Sequence, residues 1–237
     1  MTSAGCASPD DPQSDTVTVF AAASLTATFT ELGRQFENRS PGTTVIFNFG
    51  GSSDLVAQLT QGARADVFAA ADTRNMQKAV DAGLVAGTPV DFATNTLTII
   101  TSPGNPKRIS GFADLAQPGT RVVVCAPQVP CGSATERIEQ ATGVTLTPVS
   151  EESAVTDVLG KVTSGQADAG LVYVTDAHSA GDRVTEVPFP ESSTGINTYP
   201  IAVLTQASNG AGAEKFLDVV TGADGRSVLS AAGFAVP

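Results

Sequence analysis

The chain has 237 residues, of which 41% are hydrophobic and 16% charged, and its formal net charge at pH 7 is −11. This composition excludes a disordered chain, because it supplies enough apolar surface for a buried core. The acidic balance argues against nucleic-acid and anionic-lipid partners, since a phosphate backbone requires a basic face.

The first fifteen residues are predicted to form a flexible N-terminal tail (1–15). Small residues precede Cys6, and a stretch rich in proline, serine and aspartate follows it. This arrangement resembles the cleavage and lipidation site of a bacterial lipoprotein followed by its tether. Cys6 is therefore a lipidation candidate; the alternative is a chance cysteine in a tail.

Strand and helix patterns alternate from residue 16 onward. A β-branched apolar run predicts a strand at 16–23, and apolar residues at helical spacing predict a helix over 25–36. Strands are also predicted at 45–49 and 65–72, each followed by an amphipathic helix. Continuous apolar strands that alternate with amphipathic helices indicate a parallel α/β sheet covered on both faces.

A second group of strands and helices follows without a linker. Its predicted elements are strands at 97–100, 121–125 and 169–174, helices opening at Gly132 and Ser153, an edge-like segment with two prolines at 186–190, and a last strand at 200–204 followed by two helices. Two α/β groups without a linker predict two lobes joined by crossing strands. We assign residues 16–96 and 202–237 to lobe 1 and residues 97–201 to lobe 2.

Two cysteines lie close together in lobe 2. Cys125 and Cys131 have five residues between them, which is not the CxxC spacing of redox motifs, and no second Cys/His pair stands nearby to complete a zinc site. The two intervening prolines favour a pre-bent loop, so Cys125 and Cys131 are candidates for a local disulfide if the protein is exported. Two reduced, buried thiols are the alternative.

The sequence predicts no enzyme. It contains neither a Gly-x-Ser-x-Gly nucleophile elbow nor a Walker-type phosphate loop. The single histidine, His178, follows a predicted strand and is interpreted as a surface residue. No pair of carboxylates stands out from the acidic surface.

Four segments place small or hydroxyl residues where a helix is predicted to begin: 23–24, 51–53, 131–133 and 152–155. Each one alone is an ordinary N-cap. A helix N-terminus nevertheless offers unpaired backbone N–H donors and a partial positive charge. Several that converge would form an anion site without lysine or arginine, which would let a chain of net charge −11 bind an anion.

Six short motifs span nearly all of residues 16–237. They are VFAAASLT at 19–26, FGGSSDL at 49–55, ADVFAAAD at 65–72, VPCG at 129–132, GLVY at 170–173 and YPIAV at 199–203. With these motifs, in this order, the sequence resembles the periplasmic molybdate-binding proteins of ABC importers. The resemblance implies the type II periplasmic-binding-protein fold, an α/β fold whose two lobes close by a hinge on a ligand in the cleft between them.

The resemblance also implies which five residues bind the oxyanion. Ser24 and Ser52 would each donate a hydroxyl and a backbone N–H from lobe 1. From lobe 2, Cys131 and Val155 would donate backbone N–H groups, and Tyr173 its phenolic hydroxyl. The position of Cys131 is commonly alanine in the family, a change that a backbone donor tolerates. A disulfide would stiffen this loop, whereas a free thiol could react with the oxyanion.

The implied function is that of an extracytoplasmic solute-binding protein of the cell envelope. It would capture molybdate or tungstate, with no cofactor, and deliver the ion to the membrane permease of an ABC importer. We expect a monomer, anchored to the outer face of the cell membrane only through lipid on Cys6. The alternatives are a receptor for another tetrahedral oxyanion such as sulfate or phosphate, an enzyme or ligand-sensing domain on the same scaffold, and iron binding by Tyr173 and Tyr199.

Overall fold

Two five-stranded sheets flanked by helices make up residues 16–237, the part of the chain that the computed structural model describes. The tail at 1–15, with the lipidation candidate Cys6, lies outside these residues. The strands are β1 (Thr16–Ala22), β2 (Thr44–Gly50), β3 (Val67–Ala69), β4 (Val85–Asn95), β5 (Leu97–Thr101), β6 (Val122–Cys125), β7 (Ser150–Glu152), β8 (Ala169–Tyr173), β9 (Thr185–Val187) and β10 (Asn197–Leu204). The helices are α1 (Thr26–Arg39), α2 (Ser52–Thr60), α3 (Thr73–Asp81), α4 (Pro130–Thr142), α5 (Val155–Thr163), α6 (Val174–Ala180), α7 (Gly210–Thr221) and α8 (Ala223–Ala232).

Each sheet is mixed, with the strand order β2-β1-β3-β10-β4 in lobe 1 and β7-β6-β8-β5-β9 in lobe 2. β1 runs parallel to β2 and β3, and β6 runs parallel to β7 and β8, whereas β10 and β5 run antiparallel to their neighbours. The predicted parallel arrangement is confirmed for the first three strands, β1, β2 and β3, but it does not extend to β5 and β10. Both strands enter from the other lobe rather than from a crossover helix, so the geometry of βαβ units does not impose a parallel direction on them.

The chain crosses between the lobes twice. Only Thr96 separates β4 from β5, and the return crossing precedes β10, whose first residue, Asn197, pairs with Asn95 of β4. β10 thus joins the lobe 1 sheet earlier than the predicted boundary at 202. The two crossing strands lie side by side and form the connection about which the lobes can move.

Three elements were not predicted from the sequence: β4, β7 and α6. β4 is an edge strand with mostly exposed or half-buried residues, and β7 is short and partly exposed, so neither shows an apolar run. α6 follows β8 directly and is too brief for a helical repeat. The segment at 186–190 contributes β9 at the edge of the lobe 2 sheet, so the edge prediction is confirmed.

Two helix starts differ from the prediction. α4 begins at Pro130 rather than Gly132, and α5 begins at Val155 rather than Ser153. Proline suits the first helical position, because its missing N–H would have no acceptor there and its φ angle is already helical. The shift places Cys131 in the first turn of α4.

The apolar face predicted for the first helix is buried. Phe29 is fully buried and packs against Phe92 and Phe216, at ring-centroid distances of 5.8 and 6.0 Å. This contact joins α1 to β4 and α7, so lobe 1 combines the N-terminal part of the chain with its C-terminal helices. No helix within residues 16–237 is long and apolar enough to cross a bilayer.

Candidate functional site

The five residues expected to bind an oxyanion line one small cavity between the two lobes. We call it the interlobe cavity. Its lining comprises Ala22, Ala23, Ser24, Gly50, Gly51, Ser52 and Ala71 from lobe 1, and Val129, Pro130, Cys131, Val155 and Tyr173 from lobe 2. Residues far apart in sequence therefore meet at the place where the two sheets face each other.

Three helices begin at the interlobe cavity. Ser52 is the first residue of α2, Val155 is the first residue of α5, and Cys131 is the second residue of α4. The first N–H groups of a helix have no acceptor inside it, and the helix dipole adds a partial positive charge at this end. Together these helix ends supply backbone donors to an anion without a cationic side chain.

The two lobe 1 hydroxyls have protein partners that leave a proton for a ligand. Ser52 Oγ accepts a hydrogen bond from the backbone N–H of Ala71 at 3.0 Å, so its own proton is not used in that bond. Ser24 Oγ lies 3.0 Å from Tyr199 Oη. When Tyr199 donates in that pair, the Ser24 proton is also available to an anion.

The lobe 2 hydroxyl is arranged in the same way. Tyr173 is buried, and its Oη accepts a hydrogen bond from Asn197 Nδ2 at 2.6 Å. Burial raises the pKa of the Tyr173 phenol well above its usual value, and burial likewise raises the pKa of Tyr199. Both phenols therefore stay protonated at physiological pH and act as neutral donors.

The interlobe cavity has no cationic lining. Within residues 16–237, neither lysine nor arginine lies among the lining residues. Arg74 of α3 donates instead to the carbonyl oxygen of Pro127 at 2.9 Å, which links lobe 1 to the loop before α4. The described part of the chain also holds no cluster of three His, Cys, Asp or Glu residues that could bind a metal ion. The donor set suits an anion held by dipoles.

The lobes are in close contact beside Ser52. A Cβ atom built on Gly51 would lie 2.0 Å from the carbonyl oxygen of Ser153 in the other lobe. No side chain fits in that space, so this arrangement of the lobes requires glycine at position 51. The structure therefore represents a closed form.

Cys125 and Cys131 are joined in a disulfide with a Cα–Cα distance of 5.6 Å. The bond links the end of β6 to the first turn of α4. It closes the loop 126–130, whose last residues line the interlobe cavity. The reduced, buried thiols considered as an alternative are not what the structure contains.

Two buried residues beside the site were not predicted from the sequence. Asn197 bonds to Tyr173, and the Asp176 carboxylate accepts from the Tyr173 backbone N–H at 3.0 Å. Burial raises the pKa of Asp176 from 3.8 to about 7. Nothing in the local sequence marks either residue, because each matters only through a partner that the fold brings near. Tyr199, considered above as an iron ligand, instead pairs with Ser24.

Two α/β lobes with a donor-lined cavity between them define an extracytoplasmic binding protein for a small solute. The chain belongs to the family of bacterial extracellular solute-binding proteins, whose model matches residues 17–235. The predicted type II periplasmic-binding-protein fold is confirmed by this match and by a solved structure. That structure, the periplasmic molybdate-binding protein of Azotobacter vinelandii, is similar with a TM-score of 0.80 at 23% identity, over 93% of this chain and 99% of that chain.

Two relatives in sequence carry the resemblance further. The chain is 58% identical to the molybdate-binding protein ModA of Mycobacterium tuberculosis H37Rv over 221 residues, which are 93% of this chain and 85% of the relative. It is 29% identical to ModA of Escherichia coli K12 over 93% of this chain and 89% of that protein. The family resemblance inferred from the six motifs is thus confirmed.

Proposed function

We propose that this protein captures molybdate, and tungstate with it, in the interlobe cavity and delivers the ion to the membrane permease of an ABC importer. The anion is the cargo, so the protein needs no cofactor and catalyses no reaction. The name of the M. tuberculosis relative, at 58% identity, supports molybdate as the ligand.

One observation carries the proposal. Ser24, Ser52, Cys131, Val155 and Tyr173 line a single cavity that has hydroxyls and helix N-termini but no cationic side chain in its lining. A tetrahedral dianion offers four oxygens that only accept hydrogen bonds, so a set made only of donors complements it. Closure excludes water and strengthens each of these bonds.

Selectivity follows from the spacing of the lobes. Donors fixed on both lobes meet the anion only when its radius matches the closed cavity, and molybdate and tungstate are larger than sulfate. We therefore expect the closed form to discriminate against sulfate, which is the alternative ligand. Molybdate and tungstate share nearly the same size and charge and should bind alike.

The test is a thermal melt and an isothermal titration of the purified chain with molybdate, tungstate and sulfate. A ligand specific for the folded state raises the melting midpoint. Molybdate and tungstate should raise it and bind with similar affinity, and sulfate should bind at least about tenfold more weakly, a difference of about 1.4 kcal/mol. Equal binding of sulfate would contradict the assignment, as would the absence of any shift with molybdate.

We also propose that the protein is a monomer held at the outer face of the cell membrane by lipid on Cys6. A small-residue stretch before the cysteine and a polar tether after it support this anchoring. When the chain is expressed behind a lipoprotein signal peptide, Cys6→Ser should move it from the membrane fraction to the soluble fraction. An unchanged distribution between the fractions would reject the anchor.

A further inference from the structure

The buried amide of Asn197 has an orientation that its neighbours determine. Its Nδ2 lies 2.6 Å from Tyr173 Oη and 3.0 Å from the carbonyl oxygen of Pro130, and its Oδ1 accepts from the Arg137 guanidinium. A carbonyl can only accept and a guanidinium can only donate. If the amide were flipped, its oxygen would face the carbonyl oxygen of Pro130, and its NH₂ group would face the N–H groups of Arg137. The NH₂ group must therefore point toward Pro130 and Tyr173.

This orientation decides the direction of the Tyr173 hydroxyl bond. Because Asn197 donates to Tyr173 Oη, the phenol is the acceptor in that pair. Its own proton is then directed away from Asn197, and its remaining neighbours are Tyr199, which shares a hydrogen bond with it, and the interlobe cavity, which Tyr173 lines. A side chain at 197 that cannot donate would leave this hydroxyl free to rotate.

The same amide holds a second part of the site. Its other N–H binds the carbonyl of Pro130, the first residue of α4, and so anchors the helix end that carries Cys131. Asn197 is itself the first residue of β10, directly after the return crossing between the lobes. It thus connects the crossing strand to two of the donors of lobe 2.

We propose that Asn197 is a positioning residue for the anion site, acting through the Tyr173 hydroxyl. It touches no ligand, since it does not line the interlobe cavity; it determines which way the Tyr173 hydroxyl points. This inference rests on the proposed function, because it concerns the affinity for the same anion.

A double-mutant cycle tests the inference. Molybdate affinity is measured by titration calorimetry for the wild type, Asn197→Leu, Tyr173→Phe and the double variant. Leucine is close to asparagine in size but apolar, so it can neither donate nor accept a hydrogen bond. N197L should weaken molybdate binding at least about tenfold in the wild-type background and less than about threefold in the Y173F background, because the hydroxyl that it orients is already absent.

The matched control is Asn209→Leu. Asn209 is also a buried amide, but it caps α7 in lobe 1, where its side chain accepts from the Gly212 N–H and donates to the carbonyl oxygen of Thr16. N209L should change the molybdate affinity by the same factor with and without Y173F. Melting curves of the ligand-free proteins check folding, and Asn197→Ala replaces N197L in the cycle if the leucine variant does not fold.

The outcomes separate the two proposals. An N197L effect of equal size in both backgrounds, or no effect at all, overturns the positioning role while wild-type binding of molybdate upholds the proposed function. A wild-type protein that binds no molybdate overturns both. A cycle in which N209L shows the same coupling to Y173F as N197L also overturns the inference, because the effect would then belong to the loss of any buried amide.

Discussion

At the scale of single residues, the interlobe cavity shows how neutral groups are prepared for a negative ligand. Ser52 and Tyr173 accept hydrogen bonds from Ala71 and Asn197, respectively, within the protein itself. Each hydroxyl is therefore held in place and retains a proton to donate. Such pre-orientation lowers the entropy lost when the anion binds.

Ser52→Ala tests this role. The variant lacks one donor to the anion, and a hydrogen bond to a charged group contributes about 1.5–3 kcal/mol, so molybdate affinity should fall roughly 10- to 150-fold. The matched control is Ser53→Ala, which removes a buried hydroxyl that has no hydrogen-bond partner within residues 16–237. Calorimetry should show unchanged binding for S53A. Equal losses for the two variants would contradict the assignment of Ser52.

Asp176 gives the stability of the protein a distinct pH dependence. Burial raises its pKa from 3.8 to about 7 in the folded chain. A carboxyl whose pKa is raised on folding stabilises the folded state most below its unfolded pKa, and this contribution is lost as the pH rises from about 4 to about 7. Above that range the buried carboxylate opposes folding.

Asp176→Asn should therefore stabilise the protein at pH 8, by an amount on the order of 3 kcal/mol, and less at pH 5. The asparagine can still accept from the Tyr173 N–H. Denaturant unfolding at the two pH values measures the effect. Both proteins retain the His178–Glu186 pair, so their difference isolates Asp176. A gain that is the same at pH 5 and pH 8 would show that the carboxyl is not responsible.

At the scale of elements, the disulfide joins a strand end to a helix start. The bond between Cys125 and Cys131 closes a small loop, and a loop of this size contributes about 2 kcal/mol in the chain-entropy description. It also restrains the first turn of α4, where Cys131 lines the interlobe cavity. Stability and affinity should thus depend on the same bond.

The double variant C125S/C131S should unfold about 2 kcal/mol more easily than the oxidised protein and bind molybdate several-fold more weakly. Denaturant melts and calorimetry measure the two effects. The control is a reductant, which should reproduce both effects in the wild type and change neither in the variant. Unaltered affinity in the variant would show that α4 keeps its place without the bond.

At the scale of the whole molecule, the closure of the two lobes on each other depends on one glycine at the contact between them. Gly51 has φ −63° and ψ 135°, a conformation that alanine also adopts, so its own backbone does not require glycine. The requirement comes from the carbonyl oxygen of Ser153 in the other lobe, 2.0 Å from the position of a Cβ. A methyl group there would hold the lobes apart.

Gly51→Ala should fold normally but bind molybdate at least about tenfold more weakly, a loss of about 1.4 kcal/mol. Small-angle scattering should show that molybdate compacts the wild type but not the variant. The matched control is Gly160→Ala in α5, where a Cβ would meet no atom within 4 Å. G160A should close and bind like the wild type. Normal compaction of G51A would contradict a closure that depends on this contact.

The sequence by itself determined the class of fold, the family and the local features of the site. Apolar periodicity located the strands and the apolar faces of the helices, because burial of one face is a local requirement of each element. Four segments with small or hydroxyl residues at predicted helix starts were visible within a few positions of the chain, and the resemblance to the family singled out Ser24, Ser52, Cys131 and Val155 within them. The edge character of 186–190 likewise followed from its own two prolines.

Only the tertiary structure decided the rest. The antiparallel direction of β5 and β10 depends on the route of the chain between the lobes, and β4 has too little buried surface to show an apolar pattern. Asn197 and Gly51 owe their importance to partners brought beside them by the fold. Hydrogen-bond direction and interlobe spacing are relations between distant residues, and a pattern along the chain does not contain them.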